Sequence, residues 1–487
     1  MFKSINISNK DIFFADVVII GSGAGASVVA NEALENGHSV LMVEQGKYYK
    51  ENEVSTVDKF FHKMWRGSGL TAGLGKPPIA YAEGICLGGT TEINSAIYQI
   101  PYEQTINSWV KDFNLGDDWK YEKLLPYYKE IFKKMKVSET HPYFEDTKVL
   151  FKGGKKLGYK VENLPRAMDV KSKNKSRTYA CPTKGKQTMT RTLLKNAYKG
   201  GADILMECWV KKIHFSGKKA TKLSCLVNNK KITLSFNKLF ICAGAIQTPA
   251  LLQRSGIRKN VGNTLQFHPT IKVVGRFKQD VQTGESIVPT AAVTEFLPDI
   301  RIGGSVFDQG FFAMGIANNY DNAKILLENP KKIGSYYSMI KPNGMGKIIS
   351  MPFIKEPFVK YNLTDDDFAN IQKAVEYTAE VMFAGGANLI FPDLANHKGW
   401  ENIEQAKTEL LEPINRKNFN AMSIHLMSSC RPSGNKNNSV TDPCGKLWNY
   451  DNVYIADASQ IPTALGVNPQ ASVMVIAKKY CDLIFKG

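Results

Sequence analysis

Residues 17–44 read VVIIGSGAGASVVANEALENGHSVLMVE, and this stretch decides the fold. The apolar run 17–20 predicts a short strand, and the small residues 27–36, which follow a glycine-rich turn, predict a helix. A second apolar run, 39–43, predicts another strand, which ends at Glu44. A strand, a glycine turn, a helix and a second strand in this order predict a βαβ unit.

The glycine turn has the residues that a bound dinucleotide requires. Gly21 permits the tight turn, Gly23 lets the backbone approach a pyrophosphate, and Ala26 is small enough for the helix to pack closely on the strand. The phosphates would rest on the N-terminus of the helix, where unpaired amide groups favour negative charge. Glu44 can accept hydrogen bonds from a ribose diol and would repel a 2′-phosphate, so the site suits FAD or NAD better than NADP. An ordinary βαβ unit with a polar strand end is the alternative interpretation.

The composition is typical of a globular protein. The chain has 487 residues, of which 43% are hydrophobic and 22% charged, and this length favours about two to four domains. The formal net charge is +18 at pH 7. Because acidic residues lie among the lysines, we interpret this charge as a basic surface exposed to solvent. No basic helix, zinc finger or aromatic-basic RNA motif accompanies it, so the sequence predicts no nucleic-acid partner.

The sequence predicts neither a membrane-spanning segment nor a metal site. No uninterrupted apolar run of about 18 residues occurs, and no apolar block follows Met1. These features favour a cytoplasmic location and leave only peripheral membrane contact open. The 8 cysteines contain no CxxC pair, so no disulfide framework is expected, and the 7 histidines never have metal-ligand spacing.

The segment that follows residue 80 has the composition of a ligand-binding loop. Gly88 and Gly89 are followed by hydroxyl and amide side chains as far as Asn94. Paired glycines lack Cβ atoms, so the backbone can approach a ligand closely. We therefore expect this loop to be pressed against a ligand.

Further strands and a second glycine turn are predicted in the middle of the chain. Short alternating stretches predict strands of a meander at 205–210, 222–227 and 231–234. Residues 238–242 predict another strand that enters a glycine turn at Ala243-Gly244. Thr248-Pro249 then predicts the start of a helix that continues through Gln253.

The C-terminal region again has the composition of a binding site. A predicted strand at 453–457 ends at Asp457, and Asn468-Pro469 precedes an apolar helix predicted at 471–484. With a nucleotide turn near the N-terminus, this arrangement predicts that both ends of the chain meet at one cofactor.

Four blocks of residues together resemble the glucose-methanol-choline (GMC) oxidoreductases, which are FAD enzymes that oxidise alcohols. The blocks are 21–44, 84–94, 240–257 and the region from His425 onward. The third block has the pattern Gly-Ala-x-x-Thr-Pro-x-Leu-Leu-x-x-Ser-Gly-Ile, and the fourth contains Asp457-Ala-Ser and Asn468-Pro469. The resemblance covers most of the chain and is weakest at 141–190 and 280–420.

The resemblance implies an α/β fold with two domains. The FAD-binding domain would be a Rossmann-like βαβ domain built from discontinuous segments, and the α+β substrate-binding domain would be built on an antiparallel sheet. The FAD-binding domain would comprise 1–100, 186–270 and 420–487, and the substrate-binding domain 101–185 and 271–419. Residues 141–190 are basic and rich in turn formers, which predicts a surface excursion or a lid.

The resemblance also implies a pair of catalytic side chains. In this family a histidine and a second histidine or an asparagine face the flavin ring, and His425 and Asn468 match them. Removing a hydride from an alcohol carbon becomes feasible as the hydroxyl proton leaves, and imidazole, whose ordinary pKa is about 6.5, is a suitable base. Asn468 can bind the same oxygen and orient the C–H bond toward flavin N5. A satisfied histidine in a buried turn is the alternative for His425 alone, and we interpret His268, which precedes Pro269, as structural.

The predicted cofactor contacts come from the four blocks and from Val210, which matches a valine that touches adenine in this family. They are Gly21, Gly23, Ala24, Gly25, Glu44, Gly88, Gly89, Asn94, Val210, Ala243, Gly244, Asp457, Ala458, Asn468 and Pro469. Two positions depart from the family pattern. Ser428-Ser429 precedes Cys430 where many members have glycine and threonine, so a different local backbone is expected there. Ile93 stands where some members attach flavin covalently through histidine, so non-covalent FAD is predicted.

The sequence therefore predicts an FAD-dependent alcohol oxidase or dehydrogenase that passes electrons to O2, a quinone or another acceptor. Residues 439–442 and 466–469 resemble the branches that oxidise long-chain alcohols and sterols, which favours a hydrophobic alcohol. The apolar stretches 311–315 and 382–387 could line a pocket for it, although burial in the core is the favoured interpretation. The alternatives are a flavin-dependent lyase or decarboxylase on the same scaffold and a non-catalytic flavoprotein. Retention of His425 argues against the lyase, because alcohol chemistry needs the base.

Overall fold

The computed structural model describes residues 1–7, 12–139, 144–168, 185–282, 291–305 and 328–486. Its strands are β1 (Ile12–Ile20), β2 (Val40–Val43), β3 (Thr71–Gly73), β4 (Ile79–Tyr81), β5 (Val161–Asn163), β6 (Asp203–Leu205), β7 (Cys208–Ser216), β8 (Lys219–Val227), β9 (Lys230–Ile241), β10 (Gln266–Phe267), β11 (Thr270–Phe277), β12 (Ala291–Val293), β13 (Ile300–Gly304), β14 (Ile333–Ile340), β15 (Gly346–Ile349), β16 (Phe358–Tyr361), β17 (Ala387–Pro392), β18 (Ala421–Ser423), β19 (Leu426–Met427) and β20 (Val453–Ile455). Its helices are α1 (Ala24–Glu35), α2 (Val57–Met64), α3 (Glu103–Asp112), α4 (Tyr121–Lys134), α5 (Glu145–Leu157), α6 (Leu193–Lys199), α7 (Gly244–Arg254), α8 (Asp365–Gly385), α9 (Ile403–Leu410) and α10 (Gln470–Phe485). The predicted α/β fold is confirmed. Within these ranges, no helix is both long enough and apolar enough to cross a bilayer.

The first sheet has a parallel centre that contains the two strands of the opening stretch. Its order is β6-β2-β1-β9-β8-β7, and β20 also pairs with β9. β6, β2, β1, β9 and β20 are parallel, whereas β7, β8 and β9 form an antiparallel meander. Parallel strands end at the same edge of a sheet, and ligands bind at that edge in open α/β folds. Gly21, Glu44, Cys242 and Ala456 directly follow four of these strands, so their segments meet there.

The βαβ unit predicted from the sequence is present, with longer elements than expected. β1 begins at Ile12 because its pairing with β9 continues along the whole strand. α1 begins at Ala24, with Gly23 as an extended N-cap residue (φ −74°, ψ −161°) and no side chain capping the helix. The first amide groups of α1 therefore keep their capacity to bind an anion.

Several predicted strand boundaries are wrong. The stretch predicted as one strand at 205–210 contains the end of β6, at Leu205, and the start of β7, at Cys208. The strand predicted at 453–457 ends at Ile455. The strands predicted at 231–234 and 238–242 are a single strand, β9. Ser235 and Asn237 do not interrupt it, because Phe236 between them is buried and the alternation of inward and outward side chains continues.

The predicted start of the helix near Pro249 is also wrong. α7 begins at Gly244, so Pro249 lies inside it. Proline has no amide hydrogen to donate to the carbonyl four residues earlier, which belongs to Ala245. The hydroxyl of Ser429 donates to this carbonyl at 2.5 Å instead. A serine that departs from the family pattern thus compensates for the proline in α7.

Replacing Ser429 with alanine is expected to lower the free energy of unfolding by about 1–3 kcal/mol, because a buried carbonyl would lose its hydroxyl partner. Chemical denaturation of the purified protein measures the change. Ser428→Ala is the matched control, since the neighbouring hydroxyl is buried and has no hydrogen-bond partner among the described residues. Its removal is expected to cost little, and an equal loss in both variants would contradict the role of Ser429.

The second sheet is mostly antiparallel and contains most of the strands that do not belong to the first sheet. Its order is β3-β4-β18-β11-β14-β13-β12-β5, and β17 also pairs with β11. β4 and β18 are its one parallel pair among the described residues. α8 packs on this sheet beside α5. Met382, within a stretch that the sequence analysis weighed as pocket or core, lies in this buried core, and residues 311–315 lie outside the described residues.

The boundaries of the two domains remain a prediction. β3, β4 and β18, from segments assigned to the FAD-binding domain, hydrogen-bond within the second sheet. α4, from a segment assigned to the substrate-binding domain, packs on α10. The predicted lid at 141–190 falls partly outside the described residues, and its described helix α5 packs on α8. Segments of both assigned domains therefore contribute to both packed units.

Candidate active site

A cavity lies at the carboxyl edge of the first sheet. Its walls come from the glycine turn, the loop before α3, the start of β7, the start of α7, the turn before β19 and the start of α10. All the predicted cofactor contacts except Gly88 line this cavity. Residues that the sequence analysis did not name also line it, and they include Ser22, Gln45, Arg66, Gln247 and Arg254.

The glycines of the first turn have different functions. A Cβ on Gly21, whose φ is +106°, would lie 2.3 Å from the carbonyl oxygen of Cys242. A Cβ on Gly25 would lie 1.9 Å from the carbonyl oxygen of Ala456. These two glycines therefore allow close packing of the chain against itself. A Cβ on Gly23 would meet no described protein atom within 4 Å, so the space beside Gly23 belongs to the cavity and fits a pyrophosphate.

Glu44 is buried at the end of β2. Its carboxylate oxygens accept hydrogen bonds from the Ser22 hydroxyl at 2.6 Å and the Gly46 amide at 2.8 Å. The Ser22 hydroxyl accepts a hydrogen bond from the Gly88 amide at 2.9 Å. Gly88 therefore holds its loop against the glycine turn rather than lining the cavity. Burial raises the pKa of Glu44, and a ribose diol would give its carboxylate further donors.

Asp457 joins the C-terminal region to the start of α7. One carboxylate oxygen accepts hydrogen bonds from the Ser459 amide at 2.8 Å and hydroxyl at 2.6 Å. The other accepts from the Gly244 amide at 2.9 Å and the Thr248 hydroxyl at 2.5 Å. Burial raises the pKa of Asp457, and these hydrogen bonds oppose the shift. The residue borders the cavity and also ties two of its walls together.

His425 and Asn468 meet at one end of the cavity. The Nδ2 atom of Asn468 lies 2.9 Å from the Nε2 atom of His425, and both residues are buried. Ser423 fixes the turn that carries His425: its hydroxyl accepts from the His425 amide at 3.2 Å and donates to the His425 carbonyl at 3.0 Å. The two groups that the sequence analysis paired are therefore neighbours in the structure.

His268 lies directly behind His425. Its Nδ1 atom is 3.0 Å from Nδ1 of His425, and its Nε2 atom accepts hydrogen bonds from the amides of Leu465 and Gly466 at 3.1 and 3.0 Å. A ring nitrogen that accepts carries no hydrogen, so these amides favour the hydrogen of neutral His268 on Nδ1. His268, which the sequence analysis interpreted as structural, thus contacts the candidate base and influences its hydrogen placement.

Arg301, on β13, contacts Asn468 from the opposite side. Its Nη1 atom donates to Oδ1 of Asn468 at 2.8 Å and also to the side chain of Gln99. A guanidinium has only donors, so this contact fixes the amide, with Oδ1 toward Arg301 and Nδ2 toward His425. Arg301 was not predicted from the sequence, in which its one signal is that a single arginine stands inside a strand that is otherwise apolar or glycine.

The hydrogen-bonded row from Arg301 to His268 has donors at both ends. Arg301 donates to Asn468, and the backbone amides donate to His268. A neutral imidazole carries one N–H hydrogen and has one nitrogen that accepts. Because donors stand at both ends of the row, two hydrogens must face each other at one of the contacts between them. The contact between His425 and Asn468 borders the cavity, so an oxygen atom placed there can accept from both groups.

Burial keeps both imidazoles uncharged. It lowers the pKa of His425 to about 3, and the positive charge of Arg301 acts in the same direction. Burial and the neighbouring His425 hold the pKa of His268 well below its usual value. Both rings are therefore neutral at physiological pH, and a neutral imidazole has one nitrogen able to accept a proton. Among the described residues, no group of three or more His, Cys, Asp or Glu side chains is placed so that it could hold a metal ion.

Two family models, both described as GMC oxidoreductase, match residues 61–270 and 354–477 of this chain. An uncharacterized GMC-type oxidoreductase of Sinorhizobium fredii, y4nJ, is 38% identical over 476 residues, which cover 96% of this chain and 94% of the relative. The long-chain-alcohol oxidase FAO4A of Arabidopsis thaliana is 25% identical over 505 residues, which cover 96% of this chain and 67% of the relative.

Solved structures show the same fold. Pyridoxine 4-oxidase from Mesorbium loti has a TM-score of 0.75 at 16% identity, with 97% of this chain and 99% of that chain covered. Formate oxidase from Aspergillus oryzae has a TM-score of 0.75 at 16% identity, with 98% of each chain covered.

Proposed function

The chain belongs to the GMC oxidoreductases, which are FAD-dependent, and we propose that it oxidises an alcohol CH–OH group with His425 as the base. The contact between His425 and Asn468 carries this proposal. It lies at the end of a cavity whose walls include the glycine turn. A base and an orienting amide beside a cofactor-sized site are what alcohol oxidation requires.

The residues that line the cavity fit FAD. Glu44 and Val210 would hold the adenosine end, and Gly23 with the first amides of α1 would hold the pyrophosphate. His425 and Asn468 would face the ring system. When bound, FAD would accept the hydride from the alcohol carbon. O2, a quinone or another acceptor would then reoxidise the flavin.

The substrate oxygen would replace the direct contact between His425 and Asn468. With its hydrogen on Nδ1, His425 accepts the hydroxyl proton at Nε2 while Asn468 donates to the same oxygen, and this arrangement binds an alcohol. With its hydrogen on Nε2, both groups donate, and this arrangement binds a carbonyl product. The amides that donate to His268 keep its hydrogen on Nδ1, which faces Nδ1 of His425. Binding of an alcohol with His425 as the base would therefore require the hydrogen of His425 on Nδ1 as well, and the 3.0 Å contact between the two rings would have to lengthen.

Anaerobic titration of the flavin-loaded protein with alcohols tests the proposed function. Loss of the flavin absorbance is expected with at least one class among primary, secondary, sugar and steroid alcohols and hydroxy acids. Readmitted oxygen would restore the colour rapidly in an oxidase, whereas slow recovery that a quinone accelerates would identify a dehydrogenase. A flavin that no alcohol bleaches would refute alcohol oxidation and favour the lyase, or a flavoprotein without catalysis.

Bound FAD is expected to be non-covalent, because Ile93 replaces the histidine to which some family members attach it. Ile93 is buried, and an alkyl side chain has no nucleophilic atom for attachment. Acid precipitation of the yellow protein is expected to leave all of the flavin in the supernatant. Flavin that remains with the precipitated chain would contradict this prediction.

A further inference from the structure

A second, smaller cavity adjoins the candidate active site on the side of the antiparallel sheet. It shares His425 and Asn468 with the larger cavity. Polar side chains from three neighbouring strands also line it, and they are Thr270, Lys272, Arg301 and Tyr337. One part of a substrate could therefore occupy this smaller cavity while the hydroxyl oxygen of the same substrate contacts His425 and Asn468.

The charge of Arg301 has no acidic partner in the described part of the chain. The residue is 2% exposed. Its partners are the neutral side chains of Asn468, Gln99 and Met339, and its guanidinium lies 5.6 Å from the ring centroid of Tyr337. None of the ion pairs among the described residues includes it. A buried cation that lacks a counterion is costly, which favours a site that an anion completes.

The free edge of the guanidinium suits a carboxylate. Nη1 is engaged by Asn468 and Gln99, whereas Nε is buried without a hydrogen-bond partner and Nη2 contacts only the sulfur of Met339, at 3.8 Å, among the described residues. Nε and Nη2 form the side of an arginine that binds a carboxylate through two parallel hydrogen bonds. The unbranched side chain of Met339 covers this edge and is flexible enough to move from it.

A second basic side chain, Lys272, lines the same cavity. Lys272 on β11 is opposite Tyr337 on β14, and Tyr337 is opposite Gly303 on β13, two residues from Arg301. Side chains two residues apart share a face, so Lys272, Tyr337 and Arg301 are on one face of the sheet. Asp393 offsets part of the charge of Lys272, whose pKa is lowered by burial. Both charged side chains that line the cavity among the described residues, Lys272 and Arg301, are therefore basic.

We propose that this cavity binds a carboxylate of the substrate, so that the alcohol oxidised is a hydroxy acid. This inference rests on the proposed function for the identity of the reacting group, whereas the carboxylate site can be tested without turnover. The carboxylate would pair with Arg301 while His425 and Asn468 hold the hydroxyl. Arg301 would then determine specificity and position Asn468.

Binding of butyrate and of butyramide to the flavin-loaded protein, followed by calorimetry and by changes in the flavin spectrum, tests the site. These probes have similar shape and differ in charge. Butyrate is expected to bind about 10-fold or more tightly than butyramide, as a charge-assisted pair implies. Arg301→Gln is expected to abolish this preference, and Arg301→Lys is expected to keep part of it.

Arg276→Gln is the matched control, since Arg276 lies on β11 of the same sheet and does not line the cavity. It is expected to leave the preference unchanged. Equal binding of the two probes to the wild type, or a preference that survives in Arg301→Gln, would overturn the carboxylate site. If alcohols bleach the flavin of a wild type that binds butyrate and butyramide equally, the carboxylate site is refuted and the proposed function is left intact. A preference for butyrate without bleaching by any alcohol or hydroxy acid would refute the proposed function alone.

Discussion

Replacing His425 with alanine is expected to slow the reduction of bound flavin by an alcohol by about 100-fold or more, as expected for the loss of a general base. The Nε2 atom of His425 is the group beside Asn468 that can take the hydroxyl proton. Without it, the hydroxyl proton would have to leave to water in a buried site. Anaerobic stopped-flow absorbance measures the rate of reduction directly.

The variant is expected to keep its full flavin content, because His425 contacts one end of the cavity and the phosphate and ribose sites are elsewhere. His397→Ala is the matched control, since His397 is equally buried but pairs with Glu409 away from the cavity. Reduction in this control is expected to be unaffected. An unchanged rate in His425→Ala would remove His425 from the role of base.

The pH dependence gives a second readout on His425. Burial and Arg301 lower the pKa of the ring to about 3, so its neutral, proton-accepting form predominates at any pH well above that value. The rate of reduction is therefore expected to stay constant as the pH falls from about 8 to about 5, whereas an unperturbed imidazole would lose activity in this range. A bell-shaped pH profile of the reduction rate, with its maximum near neutral pH, would contradict the low pKa of His425.

The parts of the site that follow strand ends could be predicted from the sequence. Gly21, Glu44, Gly244 and Asp457 each come just after a strand of one parallel sheet, so local pattern and the geometry of parallel strands together predict that they converge. The pairing of His425 with Asn468 was available only through the family resemblance, because nothing local in either residue indicates its partner.

The residues that act through others could not be predicted in this way. Arg301 and His268 are defined by contacts with Asn468 and His425 that span 167 and 157 residues of sequence. Their roles depend on which atom donates and which accepts, and this information exists only in the folded chain. The helix start at Gly244 was missed for a related reason, since Ser429 donates to the carbonyl of Ala245, 184 residues away, in place of the amide hydrogen that Pro249 lacks.

The polar cavity also changes the expectation about the substrate. The C-terminal resemblance favoured a hydrophobic alcohol, and the relative from Arabidopsis thaliana is named a long-chain-alcohol oxidase. Yet the described wall beside His425 carries Arg301 and Lys272, and burying an alkyl chain against two cations is unfavourable. If both proposals hold, the chemistry of the reaction would depend on the His425–Asn468 pair, and the choice of substrate would depend on side chains of β11, β13 and β14.

Replacing Gly23 with leucine is expected to give a folded but colourless protein. The backbone of Gly23 has ordinary extended angles (φ −74°, ψ −161°) and a Cβ there meets no described protein atom within 4 Å. The side chain would therefore leave the chain's own packing undisturbed and occupy the space assigned to the pyrophosphate. The ratio of flavin to protein absorbance measures the loss, and circular dichroism verifies the fold.

Gly25→Leu separates this effect from simple misfolding. Its Cβ would lie 1.9 Å from the carbonyl oxygen of Ala456, so this variant is expected to disrupt the packing of α1 against the segment that follows β20 and to be unstable or insoluble. The two substitutions are two residues apart and identical in chemistry, and they differ only in what the new side chain meets. Full flavin content in Gly23→Leu would show that the space beside Gly23 is not where the pyrophosphate binds, and would refute the assignment of the nucleotide site.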